Sequence, residues 1–199
     1  MIKLKILMIA HRSPPAHGAA VVGDKVYNIL KKNGFGILFS NLSTSKELDD
    51  IGRLNIFKIA RIVGLLWFVV TAFSSNRFAS VYFTPAVTGI ALYRDAMLAV
   101  WIRFLALVTF QRSIVIVMHI HMQPDDDIGF LRRLALRILV FNARVVLAHS
   151  SLARYYPSNI LSEADVVSLP YSVDAIASLE QVTAKWSNRK FSSEGGRVL

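Results

Sequence analysis

The sequence predicts an α/β protein, a Rossmann-like doubly wound parallel sheet with helices on both faces, and three observations carry that expectation. Short apolar, β-branched runs alternate along the chain with longer helical segments. The run 113–121, SIVIVMHIH, is apolar on both faces, as a central parallel strand must be. The stretch 3–22, KLKILMIAHRSPPAHGAAVV, passes from strand through a Pro/Gly turn into a helix. Such a turn lies at the carboxyl end of a parallel strand, where open α/β sheets bind their ligands.

The first strand is the run Ile6-Leu7-Met8-Ile9-Ala10, broken at Ser13-Pro14-Pro15 because proline fits neither helix nor ladder. A helix follows, its start marked by His17-Gly18-Ala19-Ala20, with an amphipathic body over 21–32 and a C-cap at Asn33-Gly34. Gly18 lacks a Cβ, so a ligand can approach its backbone, and the helix start offers N–H groups to an anion. A tight turn without a ligand explains the same residues. Gly18 to Lys25 resembles a phosphate loop only in outline. Asp24 intrudes before Lys25 and no Ser/Thr follows, so a Walker loop is rejected, and no G-x-G-x-x-G is present.

Segment 36–40 reads as the second strand, and 41–50 as a polar loop. A long helix is expected over 54–73. Its uncharged stretch from Ile62 to Phe73 falls short of the ~18 residues a membrane span needs, and Arg53, Lys58 and Arg61 precede it. It reads either as buried between sheet and neighbours or as an interfacial helix anchored by cations. The third strand is 80–84, ended by Pro85, and 89–110 is a second apolar helix, with Arg103 in its middle arguing against a span. After the strong strand 113–121, Asp125-Asp126-Asp127 is expected to open a helix to about residue 142. Carboxylates there suit capping and the helix dipole, although the triplet also contains a D-x-D of the kind that holds a metal–nucleotide pair. The fifth strand is 144–148, followed by His149-Ser150-Ser151 and a helix broken at Tyr155-Tyr156-Pro157; the sixth is 165–169. No repeat interrupts this order.

A chain of 199 residues suits one domain, or one with the start of another. It is 54% apolar and 18% charged, outside the disordered range. It has no cysteine, which excludes disulfides and Cys-based metal sites and fits a reducing compartment. The apolar run after Lys5 lasts five residues, too short for a secretory signal, so a cytoplasmic location is expected. The net charge of +10 implies an anionic partner. The basic residues are spread from Lys3 to Arg197 without a nucleic-acid motif, which favours a membrane surface or a phosphate-bearing substrate over nucleic acid.

The histidines fall at strand carboxyl ends: His11 after the first, His119 and His121 at the fourth, His149 after the fifth. Several imidazoles at one sheet edge suggest a site, since imidazole both hydrogen-bonds hydroxyls and transfers protons near neutral pH. Their spacing matches no common zinc motif. A Rossmann-like hydrolase is disfavoured because no G-x-S-x-G elbow is present.

Four segments resemble family 4 (group 1) glycosyltransferases of the two-domain GT-B fold. Ser13-Pro-Pro-Ala-His-Gly-Ala19 resembles their PP-x-HG-x loop and Val117-Met-His-Ile-His121 their "hHiHg" strand end. Val145-Val-Leu-Ala-His-Ser-Ser-Leu152 is similar to "vlvhSs-l", and Leu169-Pro-Tyr-Ser-Val-Asp174 to "iPNGVD". Ala19 replaces the family's second glycine, and Tyr171-Ser172 its Asn-Gly. The resemblance implies that 1–174 is the acceptor-side N-terminal domain, with 175–199 a linker and the start of a donor-binding domain. It implies transfer of a hexosyl unit from a nucleotide diphosphate sugar to a lipid-linked or polysaccharide acceptor, in surface glycan synthesis, with no cofactor required. This domain alone would then be inactive. By that match His121 is the catalytic residue, and Pro15, His17, Gly18, Ala19, His119 and Ser150 bind substrate, with Gly18 meeting the donor diphosphate. A non-catalytic module binding an anionic membrane surface, peripheral on the inner face of the cell membrane, is the alternative.

Overall fold

The computed structural model describes residues 4–13, 18–42, 56–111, 113–124, 129–156, 158–161 and 165–168. Six strands, β1 (Lys5–Ala10), β2 (Gly36–Asn41), β3 (Ser80–Phe83), β4 (Val115–Ile120), β5 (Arg144–Leu147) and β6 (Asp165–Ser168), form one sheet in the order β2-β1-β3-β4-β5-β6. Every neighbouring pair is parallel. The helices are α1 (Gly18–Lys32), α2 (Ile56–Ser75), α3 (Gly89–Val108), α4 (Phe130–Val140) and the short α5 (Ser158–Leu161), with a 3-10 turn over Ser150–Tyr155. The Rossmann-like doubly wound class expected from the sequence is the one observed.

Strand side chains alternate between two cores. Leu7, Ile9, Phe83, Met118, Ile120 and Leu147 pack under α2, α3 and α4, whose Val69, Ala99, Ile102 and Leu139 meet them. Ile6, Met8, Ala10, Tyr82 and Val117 face the other way, toward Val26 and Leu30 of α1. Each fully buried side chain of this size contributes about 1.5–3 kcal/mol of transfer free energy. The β1–α1 crossover therefore covers one face and the β3–α3 crossover the other. Connections diverging from two adjacent strands leave a crevice at their carboxyl ends, the usual ligand position in such sheets.

Several boundaries differ from the sequence reading. The helix expected to open at Asp125 begins at Phe130, with Gly129 as a cap that supplies no side-chain bond; residues 125–128 lie outside those described, as do 171–199. Strand β4 ends at Ile120, so His119 lies within the strand and His121 one residue beyond it. The expected C-cap of α1 is present: Gly34 has φ +81° and Phe35 N–H donates to Leu30 O at 3.1 Å. Helix α3 stops at Val108 rather than residue 110, because Phe110 adopts φ +56° and Gln111 N–H returns to Ala106 O at 2.8 Å. No described helix is long and apolar enough to cross a membrane.

Candidate functional site

The crevice between β1 and β3 is built from opposite sides. Gly18 opens α1, is exposed, and a Cβ placed on it would meet nothing within 4 Å. No packing among the described residues requires glycine there. Ala19 is half-buried in the same first turn. Five residues on, Gly23 behaves oppositely: a Cβ would lie 2.0 Å from the backbone oxygen of His11. Gly23 thus lets α1 settle against the end of β1. Asp24 ties α1 to the residues just past β1, accepting from Arg12 Nε at 2.6 Å and from the Ser13 backbone N–H at 3.3 Å. The Arg12 guanidinium beside it holds the Asp24 carboxyl below its usual range. The same guanidinium lies 4.1 Å over the Tyr27 ring and 5.1 Å from that of Phe39. The residue that spoils a phosphate loop in the sequence is the brace between β1 and α1.

From the other side come β3 and β4. Ser80, Tyr82 and Thr84 alternate onto one face, and the β3–β4 register carries Thr84 level with His119. Tyr82 Oη and His119 Nδ1 are 2.6 Å apart. Burial raises the Tyr82 pKa, so the phenol keeps its proton, and this hydrogen bond fixes the His119 ring against β3. The His119 and His121 rings are tilted with centroids 4.1 Å apart. Burial, and for His119 the neighbouring His121, depresses both imidazoles; His121 falls to about 4. Both rings are neutral at physiological pH. Among the described residues, His119 Nε2, His121 Nε2 and Thr84 Oγ1 are buried with no hydrogen-bond partner. Unpaired buried polar atoms are costly, and three on one sheet face call for an outside partner.

The loop after β3 is held from behind by Asp95 of α3. Its Oδ2 accepts from Ala86 N–H at 2.7 Å and its Oδ1 from Arg94 Nε at 2.6 Å, and the residue is fully buried. After β5, His149 caps the 3-10 turn, its Nδ1 accepting from Ser151 N–H at 3.0 Å.

Of the residues singled out in the sequence, Gly18, Ala19, His119 and His121 share this carboxyl edge, with β3 alone between β1 and β4. Pro15 and His17 lie outside the described residues. Ser150 starts the turn after β5, beyond β4, and its side chain is not among those described. At 2% exposure His119 supports the site from behind, leaving the contact to the half-buried His121. Sequence reading passed over Tyr82, Thr84 and Asp95. The spacing of Ser80, Tyr82 and Thr84, polar groups at every second position of an apolar strand, was the signal for the first two. Among the described residues no three His, Cys, Asp or Glu side chains gather closely enough to hold a metal ion. No family model and no curated protein matches this chain, so its likeness to glycosyltransferases rests on the four sequence segments.

Proposed function

We infer that this chain is the acceptor-side domain of a glycosyltransferase, moving a sugar from a nucleotide diphosphate donor to the hydroxyl of a lipid-linked or polysaccharide acceptor. The observation that carries the reading is the pairing, at one sheet edge, of an open helix start at Gly18 with the half-buried His121, whose Nε2 has no partner among the described residues. A diphosphate suits the first, through N–H groups and the helix dipole. A sugar bearing hydroxyls suits the second, since neutral imidazole hydrogen-bonds them without a charge to desolvate.

With its pKa near 4, His121 is unprotonated at pH 7 and a weak base, so it acts here by orienting the transferred sugar rather than by shuttling a proton. His119, locked by Tyr82, holds the His121 ring in place. Stabilisation of the departing diphosphate falls to backbone N–H groups of α1 and to cations. A groove lined by Asn41, Arg61, Leu65 and Phe68 runs beside the end of β2, and its mixed lining suits an amphiphilic acceptor.

The test uses the complete reading frame containing this chain, supplied with labelled nucleotide sugars and membrane-extracted acceptors. Transfer of label is expected, and His121→Ala should lower turnover by about 10²-fold with folding intact, the scale of a lost positioning contact. His121→Gln, which keeps a nitrogen donor, should recover part of that loss. Transfer unaffected by His121→Ala would remove the site, and no transfer with any donor would remove the function.

A further inference from the structure

The layer formed by α2, α3 and α4 presents a band of apolar side chains to solvent, centred on α3. On α3 these are Ile90, Tyr93, Met97, Val100, Phe104 and Leu107, each 42–60% exposed. Their spacing of three and four residues places them on one helical face. Trp67, with Ile59 and Val63, extends the surface across α2, and Phe130, Leu131 and Leu134 extend it across α4. Phe110, just past α3, is 80% exposed and held at φ +56°. Scattered exposed apolar residues need no explanation, but a contiguous face of this extent marks a binding surface.

Charge identifies the occupant. Among the described side chains of these helices Arg61 and Arg133 are exposed cations, while Arg94 pairs with Asp95 and the Arg103 guanidinium turns in to the Leu139 and Phe141 carbonyls; Asp95 is the one acidic residue in the three helices. Asp95 is fully buried against Arg94, so it offers nothing to a partner. A second copy of this chain would set the exposed Arg61 and Arg133 against their own counterparts, with no exposed carboxylate from these helices to relieve the repulsion. An anionic bilayer supplies both an apolar interior and negative headgroups.

We propose that the outer face of α2, α3 and α4 docks on the surface of an anionic lipid membrane, its α3 stripe among the headgroups. Arg61 and Arg133, both exposed, lie in the second turn of α2 and the first turn of α4 and so toward the strand carboxyl ends. The docked face therefore has its cations on the side of the candidate site, where a lipid-borne acceptor arrives. The docking stands on exposure and charge, whether or not the strand edge carries out transfer.

Vesicle sedimentation of the whole chain tests it, using phosphatidylglycerol–phosphatidylcholine vesicles against phosphatidylcholine alone. Binding should be stronger to the anionic vesicles, and should weaken as salt rises and the Debye length shortens from about 10 Å at 0.1 M to about 3 Å at 1 M. The exposed-face pair Met97→Ser with Phe104→Ser should weaken it about tenfold or more. Phe110→Gly should also weaken it while raising the urea midpoint, so its loss of binding cannot come from unfolding. Val21→Ser, on the exposed side of α1, and His121→Ala should leave it unchanged. Equal binding to both vesicle types, or no effect of the α3 pair, overturns the proposal. So does a lipid-indifferent dimer that the α3 pair dissociates, which would give the face to a second copy.

Discussion

A methyl group added at Gly23 would sit 2.0 Å from the His11 carbonyl oxygen, a distance no packing tolerates, and both atoms there are backbone. Gly23→Ala should therefore cost about 3 kcal/mol or more in urea unfolding, since α1 must move off β1. Gly18→Ala meets open space and should change stability by less than about 1 kcal/mol, with a gain rather than a loss expected. The two glycines are alike in the sequence, because what distinguishes them is a contact twelve residues back along the chain. The buried histidines make a second, pH-dependent prediction. The folded pKa of His121 lies below the unfolded value, so its contribution is present above about pH 6.5 and is lost as pH falls toward 4. Across that window His121 accounts for up to about 3 kcal/mol. Urea midpoints at pH 7, 5.5 and 4.5 should fall less steeply for His121→Gln than for the unaltered chain; equal slopes would show that the imidazole is not buried neutral.

The ends of α2 and α3 are joined by one side chain. Gln111 Oε1 accepts from Phe78 N–H at 2.8 Å, while Nε2 donates to Asn76 O at 3.0 Å and Thr109 Oγ1 at 3.1 Å. Gln111→Ala should cost about 2–3 kcal/mol, because it strands the buried Phe78 donor. Gln111→Glu should cost at least as much at pH 7, where a carboxylate faces the Asn76 carbonyl. The carboxyl pKa is then raised, so that stability returns as pH is lowered and is lost as it rises. A Gln111→Glu variant whose deficit relative to the unaltered chain is smaller at pH 8 than at pH 5 would contradict the assignment. The same bracket explains why the end of α3 was misread. Residue 110 occupies the left-handed position that usually takes glycine, and a phenylalanine there gives no stop signal. Phe110→Gly should stabilise the chain by about 1 kcal/mol by relieving that backbone. Strand cores, by contrast, were plain in the sequence, since β-branched apolar runs survive any boundary error of a residue or two.

Across the whole molecule the order of strands and helices was legible because alternation and the lack of short hairpin turns leave parallel crossovers as the one connection available. The strand order was not, because β2 could sit on either side of β1 in a sequence that records no register. The sequence placed the two halves of the candidate site, Gly18 at the helix start after the first strand and His121 at the end of the fourth; it could not show that β3 lies between them and adds Tyr82 and Thr84. Nor could it show the outward face of α3, since a helix rich in apolar residues reads the same whether one side or both are covered. The site so assembled presents the start of one helix and a neutral imidazole pair, and that bounds what the domain does unaided. Each charge-assisted contact from the N–H groups near Gly18 contributes about 1.5–3 kcal/mol before the loss of translational and rotational freedom is subtracted. A nucleotide diphosphate sugar held on those terms alone should bind no tighter than about millimolar. Transfer further needs a closed site that excludes water. Calorimetry with common nucleotide sugars on the 199-residue chain should give weak or no heat, and a product assay no transfer. Micromolar binding with turnover would mean that the donor is held by residues other than these, and that the chain is not the acceptor half of a two-domain transferase.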